Sequence, residues 1–192
     1  MHPAFSHDHY LLKRQVLALT GKFRLYNPTN DLVLFSQQKK FRLKEDIRVY
    51  ADESKSQELL LIKARQIIDF SAAYDVCDGV TGAKVGVLRR KGWKSMVRDE
   101  WDVLDANDQP IGTVQEDSVA RALLRRFLLG KWLPQDYDFL MHGKRVADLK
   151  QRFHLFRYEL EVDFRLDTSG VLDRRLGIAA AILLGTIEGK QE

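Results

Sequence analysis

The segment GVLDRRLGIAAAILLGTIEG, residues 170–189, passes from two arginines into a long apolar run. The run from Leu176 to Ile187 has 12 residues, which is about 18 Å of α-helix at a rise of about 1.5 Å per residue. A hydrocarbon core of about 30 Å needs roughly 20 residues, so this helix is too short to cross a membrane. Because it has no polar face, we expect other parts of the chain to surround it.

The segments before this helix alternate between apolar and charged residues. In FRYELEVDFRL, residues 156–166, every second residue is apolar and the residues between them are charged. FRLKEDIRVY, residues 41–50, shows a similar period of two. This pattern is typical of β-strands with one buried face.

A short motif also recurs along the chain. YDVCDGVTGAKVGVL begins at Tyr74, WDVLDANDQPIGTV begins at Trp101, and YDFLMHGKRVAD begins at Tyr137. Each copy opens with an aromatic residue and Asp and continues into turn-forming residues; FRLYNPTNDLVLF from Phe23 is a fainter copy. Such turns predict β-hairpins, with the aromatic residue near the start of the first strand.

A second helix is predicted within EDSVARALLRRFLLGKW, residues 116–132. Ser118 suits the N-cap, Gly130 suits the C-terminus, and an apolar stripe lies opposite Arg121 and Arg125. We expect the stripe to cover one end of a barrel. The alternative is a helix that lies in a membrane interface.

Together these patterns predict a mainly β protein. We expect a closed antiparallel barrel of about twelve strands around a buried C-terminal hydrophobic helix, with one further amphipathic helix, because closure removes exposed sheet edges. Residues 1–9 are expected to form a flexible N-terminus. Residues 10–192 are expected to form a single barrel domain.

Composition adds few constraints on function. Lys and Arg number 31 against 27 for Asp and Glu, an excess too small to indicate a dedicated nucleic-acid-binding protein. Cys77 is the only cysteine, so an intrachain disulfide is excluded and a cytoplasmic location is favoured. The first residues, MHPAFSHDHYLLKRQ, lack the pattern of a secretory signal.

The order of these segments resembles the tubby C-terminal-like superfamily, specifically its LURP-one-related and phospholipid scramblase-like branch. The resemblance rests on YLLKRQVLALTGKFRLYNPTND, the hairpins that begin near Tyr74 and Trp101, and the terminal strand and helix. It implies a twelve-stranded antiparallel barrel around a C-terminal hydrophobic helix. Tubby-type members bind phosphoinositide head groups through basic residues, and scramblase-type members act on phospholipids with calcium.

A basic segment, LRRKGWKSMVRDEW at residues 88–101, is the leading candidate for a binding site. Cations at a hairpin tip can contact phosphates while an indole lies at a lipid interface. The predicted site residues are Arg89, Arg90, Lys91, Trp93 and Lys94, and the predicted secondary basic surface consists of Arg121, Arg125 and Arg126. The alternative for the tip is a solvated turn whose charges only maintain solubility.

No catalytic residue, metal site or cofactor is predicted. Counted from Asp105, Asn107 and Glu116 fall at the third and twelfth positions of a calcium loop, but Pro110 stands where such a loop needs glycine, so a hairpin turn is favoured. His7, Asp8 and His9 fit an adventitious metal site better than a physiological one. Phosphate-cradling loops, nucleophile elbows and zinc spacings do not occur in the sequence.

We therefore predict a non-enzymatic intracellular domain that recognises an anionic ligand, with a phospholipid or phosphoinositide head group as the favoured class. Its expected location is the cytoplasm, peripherally at a membrane. The alternative is a protein-interaction or structural scaffold that has no small-molecule ligand. An enzyme or lipid translocator is a third, less supported class, because the sequence has neither a catalytic set nor a spanning segment.

Overall fold

A computed structural model of the protein describes residues 1–15, 21–38, 46–65, 72–91, 100–117, 134–154 and 157–188. These residues form twelve β-strands, one α-helix and a single turn of 3₁₀-helix. The strands are β1 (His9–Gln15), β2 (Gly21–Tyr26), β3 (Leu32–Gln38), β4 (Ile47–Tyr50), β5 (Glu58–Ala64), β6 (Ala73–Asp78), β7 (Lys84–Arg90), β8 (Glu100–Leu104), β9 (Pro110–Glu116), β10 (Asp136–Met141), β11 (Lys144–Arg152) and β12 (Arg157–Asp163). The helix α1 spans Arg174–Glu188, and the 3₁₀ turn spans Pro3–Phe5.

Each strand pairs with the next strand along the chain, and β1 pairs with β12. All of these pairings are antiparallel, so the sheet closes on itself without a crossover. At the closure Leu12 lies opposite Leu160 and Tyr10 lies opposite Val162. The predicted mainly β fold, a closed antiparallel barrel of twelve strands, is confirmed.

The period of two seen in the sequence appears as alternating burial. In β1, Tyr10 and Leu12 are fully buried, whereas Leu11 and Lys13, which alternate with them, are partly exposed. In β12, Leu160 is fully buried, and the residues on either side of it are partly exposed. One face of each of these strands therefore contributes to the core and the other contacts solvent.

One predicted strand ends earlier in the structure. Within the described residues, the segment 156–166 forms a strand over Arg157–Asp163, and it ends there because the Asp163 carboxylate accepts a hydrogen bond from the Arg165 backbone N–H and turns the chain. Phe156 lies outside the described residues, and Leu166 is half exposed. Of segment 41–50, Ile47–Tyr50 forms β4, and residues 41–45 lie outside the described residues.

Close contacts join α1 to several strands. A Cβ atom at Gly177 would lie 2.3 Å from Phe164 Cε1, and one at Gly185 would lie 2.8 Å from Phe23 Cε1. On the strand side, a Cβ atom at Gly86 would lie 3.1 Å from Leu176 Cδ2. The apolar side chains of α1 are almost fully buried: Leu176, Ile178, Ala179, Ala180, Ala181, Ile182, Leu183, Leu184 and Ile187.

The other predicted helix, which begins near Ser118 and ends near Gly130, lies outside the described residues. The part of the chain that the structure describes contains no α-helix besides α1. At the N-terminus, Phe5 is 1% exposed and the Tyr10 hydroxyl donates a hydrogen bond to the Ala4 carbonyl at 2.8 Å. The division of the chain into a flexible terminus and one barrel domain stays a prediction.

Candidate functional site

The repeated motif fixes which side chains face outward around the candidate site. Tyr74, Trp101 and Tyr137 are each the second residue of a strand, in β6, β8 and β10, and each is at most 2% exposed. The hairpin positions predicted for these three residues are confirmed. Because neighbouring side chains on a strand point to opposite faces, the Asp that follows each aromatic residue lies on the outer face.

These outward aspartates form ion pairs with cations of neighbouring strands. Asp102 in β8 lies 2.9 Å from Arg89 Nη2 and 3.1 Å from Lys91 Nζ. Asp75 in β6 pairs in the same way with Arg65 at 2.6 Å and with Lys84 at 3.5 Å. The acidic residue of the repeat therefore neutralises basic residues on the outer surface of the barrel.

The described part of the predicted site lies at the end of β7, beside the start of β8. Arg89 and Arg90 are the last two residues of β7, and the Lys91 backbone N–H donates to the Glu100 carbonyl at 2.9 Å. The Lys91 ammonium also donates to the Glu100 carboxylate at 2.5 Å, and this hydrogen bond raises the pKa of Lys91. Arg89 keeps 47% of its side chain exposed, compared with 25% for Lys91.

Arg90 occupies the opposite face of β7. It shares that face with Gly86 and Leu88, and Gly86 is the residue that approaches Leu176 of α1. Arg90 lies opposite Trp101 in the strand register, close to the buried Tyr74 ring, which is 6.1 Å from the Trp101 ring. Burial raises the pKa of Tyr74, and the charge of Arg90 opposes this effect. The predicted cluster is therefore divided, with Arg89 and Lys91 on one face and Arg90 on the other.

The remaining predicted site residues are Trp93 and Lys94, which lie outside the described residues. The same is true of the secondary basic surface, Arg121, Arg125 and Arg126. Their participation stays a prediction.

The family of this chain follows from a comparison with protein-family models. The model of the LURP-one-related family matches residues 32–185, which is more than half of the chain. The chain belongs to the LURP-one-related family. This family is part of the tubby-like superfamily. No curated protein and no solved structure matches the chain.

The matched residues of this LURP-one-related chain run from the first residue of β3 into α1. They include the β7 end with Arg89, Arg90 and Lys91. Membership in the family thus agrees with the barrel fold. Among the described helices, none has the length and apolar character needed to cross a bilayer.

The other end of the barrel carries an ion-pair network around the start of α1. Arg174 contacts Asp167 at 2.9 Å and Asp8 at 3.1 Å, and its guanidinium lies 4.6 Å from the centre of the Phe164 ring. Arg175 contacts Asp78 at 2.8 Å and Asp173 at 2.6 Å. These contacts tie the helix to surrounding turns, which indicates a structural role.

A cleft of about 370 Å³ lies beside this network. It is formed by the turn between β10 and β11 and by the loop between β12 and α1. The sequence alone did not predict this cleft, since its walls, residues 141–146 and 166–171, are far apart in the chain and meet only through the return of β11 and β12. The signals in the sequence are the MHGK turn at residues 141–144 and the LDTSG loop at residues 166–170.

Two other sequence candidates are accounted for by packing. Burial raises the pKa of the Cys77 thiol in β6, which makes it a poorer nucleophile at neutral pH. The His7 ring contacts the edge of Tyr10, with 5.7 Å between ring centres. Within the described ranges, no group of three or more His, Cys, Asp or Glu side chains has an arrangement suited to a metal ion.

Proposed function

We propose that this LURP-one-related domain is a non-enzymatic module that binds an anionic ligand of the phospholipid or phosphoinositide class. The proposed site is on the outer surface of the barrel at the ends of β7 and β8. The observation that carries the proposal is a pair of cations on the outer face at one strand end, Arg89 and Lys91, with the Arg89 side chain nearly half exposed. The non-enzymatic part rests on the lack of a catalytic constellation in the sequence.

The ion pairs at this site are compatible with exchange for a phosphate. An exposed salt bridge contributes only about 0 to 1 kcal/mol of stability. A cation close to an anionic membrane surface gains about 1 kcal/mol before screening by salt. Arg89 and Lys91 can therefore exchange Asp102 for lipid phosphates at little net cost.

The second candidate function is a scaffold without a small-molecule ligand. A specific observation favours it, namely that Asp102 and Glu100 already neutralise Arg89 and Lys91. Similar pairs occur elsewhere on the outer surface, such as Arg24 with Glu53 and Arg48 with Glu58, both at 2.6 Å. On this alternative the basic residues serve solubility and strand pairing.

We also propose that α1 runs through the interior of the barrel and forms its core. Support comes from the burial of its apolar side chains and from its close contacts with Phe23 of β2, Gly86 of β7 and Tyr158 of β12. Gly177 and Gly185 keep the helix thin where Phe164 and Phe23 approach it. A rigid core of this kind would leave the outer surface as the place for ligand binding.

The proposed location is the cytoplasm, with reversible attachment to a membrane surface, and the phospholipid scramblase-like branch remains our proposed placement within the superfamily. Co-sedimentation of the purified chain with vesicles tests the function. We expect binding to vesicles that contain phosphatidylserine or a phosphoinositide, no binding to neutral phosphatidylcholine vesicles, and weaker binding as salt is raised. Absence of binding at any salt concentration favours the scaffold.

A further inference from the structure

The cleft at the start of α1 has a fixed basic wall. It is made by the β10 to β11 turn, where His142 and Gly143 both have positive φ, 49° and 78°, and Met141 pairs with Lys144. Two consecutive residues with positive φ are the signature of a tight type I′ hairpin turn. His142 and Lys144 of this turn belong to the lining of the cleft.

The opposite wall is a loop whose shape is set by Asp167. Its carboxylate accepts hydrogen bonds from the backbone N–H groups of Val171 at 2.9 Å and Leu172 at 3.0 Å, and it pairs with Arg174. The Asp167 side chain is only 1% exposed, so its carboxylate interacts with these groups of the protein and does not face a ligand. Thr168 and Ser169 of this loop belong to the lining of the cleft.

Four polar side chains at the cleft have unused hydrogen-bonding capacity. Within the described residues, the side chains of His142, Lys144, Thr168 and Ser169 form no hydrogen bond or ion pair with another group. Arg145, which follows Lys144, differs from these four residues because its guanidinium forms ion pairs with Asp138 at 2.9 Å and with Asp148 at 2.5 Å. An ammonium group and two hydroxyls that line one cleft without protein partners are available to donate hydrogen bonds to an anion.

The cleft also has an apolar part. Leu166 is 50% exposed and Val171 is 49% exposed, and both belong to its lining. Large apolar side chains left this open at the rim of a concave site suit a ligand with an apolar portion. The volume of about 370 Å³ is within the range of small-molecule sites.

We propose that this cleft binds a small amphiphilic phosphate ester. The phosphate oxygens accept hydrogen bonds from the Lys144 ammonium and from the Thr168 and Ser169 hydroxyls, and the apolar portion contacts Leu166 and Val171. This chemistry is shared by a phospholipid head group with its first acyl carbons and by a water-soluble phosphate ester. The site is at the opposite end of the barrel from Arg89 and Lys91, so it is independent of the function proposed above.

The test is an NMR titration of the ¹⁵N-labelled full chain with glycerol 3-phosphate and with dihexanoyl phosphatidic acid below its micelle concentration. We expect the amide signals of residues 141–146 and 166–171 to shift. Tighter binding of the phosphatidic acid supports the apolar contacts with Leu166 and Val171 and indicates a lipid head group, whereas equal binding of the two probes would contradict those contacts. Lys144→Gln should weaken binding about tenfold, as expected for loss of a hydrogen bond from a charged group.

Lys63→Gln is the matched control, because Lys63 is an exposed lysine on the outer face of β5, away from the cleft. It should change affinity by less than about twofold, as is usual for a surface charge. The proposal is overturned if neither probe binds at millimolar concentration, or if the two variants lose affinity equally. Shifts confined to residues 89–91 and 100–102 would also overturn it, while supporting the site proposed at β7.

Discussion

The Phe164 ring fills the space next to Gly177, and a Cβ atom there would lie 2.3 Å from Cε1 and 2.5 Å from Cζ of the ring. Phe164 is fully buried and also lies under the Arg174 guanidinium, so it cannot easily move away. Glycine at position 177 therefore allows the first turn of α1 to approach the end of β12. Glycine inside a helix is unfavourable because it costs conformational entropy. The packing of Phe164 against this position explains why glycine is found here.

Gly177→Ala should lower the free energy of unfolding, since overpacking a filled core costs about 1 to 3 kcal/mol. The gain in helix propensity is at most about 1 kcal/mol and does not offset this cost. Urea denaturation measures the change. Phe164→Leu should relieve the clash, so the double variant should be more stable than the sum of the two single effects predicts. A Gly177→Ala protein as stable as the parent would contradict this account.

Ala181→Asp tests the proposal that α1 is the core of the barrel. Ala181 is 0% exposed, and an unpaired carboxylate in such a place costs several kcal/mol. We expect no folded protein after expression, as judged by circular dichroism and size-exclusion chromatography. Ala106→Asp, in the exposed turn between β8 and β9, is the control and should fold normally. Normal folding of Ala181→Asp would contradict a buried helix.

Stability in acid should depend on Asp163. Hydrogen bonds from the Arg165 guanidinium, at 2.5 and 2.9 Å, lower the pKa of the Asp163 carboxyl to about 2. With an unfolded pKa of about 3.9, the ionised group stabilises the fold fully above about pH 4, and this contribution is lost as the pH falls toward 2. Asp163→Asn should therefore melt lower at pH 7, with a difference that shrinks toward pH 2. A difference that does not change with pH would refute the assignment.

Asp102→Asn should strengthen binding to anionic vesicles. The substitution removes one negative charge beside Arg89 and Lys91, and one unit of charge near an anionic surface is worth about 1 kcal/mol, so we expect about a fivefold gain. Asp75→Asn is the matched control, because Asp75 occupies the same place in the repeat and pairs with Arg65 and Lys84. The two variants change net charge equally. Equal gains would show that binding does not depend on the β7 end.

The sequence predicted what local patterns determine. Alternation placed Tyr74, Trp101 and Tyr137 at equivalent buried positions in three strands, because a period of two fixes the face of each side chain. Alternation also puts Arg90 on the opposite face from Arg89 and Lys91, so the prediction of one basic tip containing all three was too simple. The end of β12 was misplaced, since a single hydrogen bond from the Arg165 backbone to Asp163 outweighed the apolar pattern that continues to Leu166.

Contacts between distant segments could not be read from the sequence. The cleft depends on His142 and Ser169 meeting at one end of the barrel, which requires the register of β10, β11 and β12. Likewise, the pairing of Asp102 with Arg89 and Lys91 depends on the register between β7 and β8. A pattern within one segment gives the face of a residue but not its partner on another strand.

The most direct test of the proposed function is vesicle binding by the double variant Arg89→Gln, Lys91→Gln, measured by co-sedimentation at low salt. Its matched control is Arg65→Gln, Lys84→Gln, which removes the two cations paired with Asp75. Thermal melts verify that both proteins fold. We predict that the β7 variant binds anionic vesicles at least about tenfold more weakly, while the control stays within about twofold of the parent. Equal losses in the two variants, or no binding by the parent chain, would contradict the proposal.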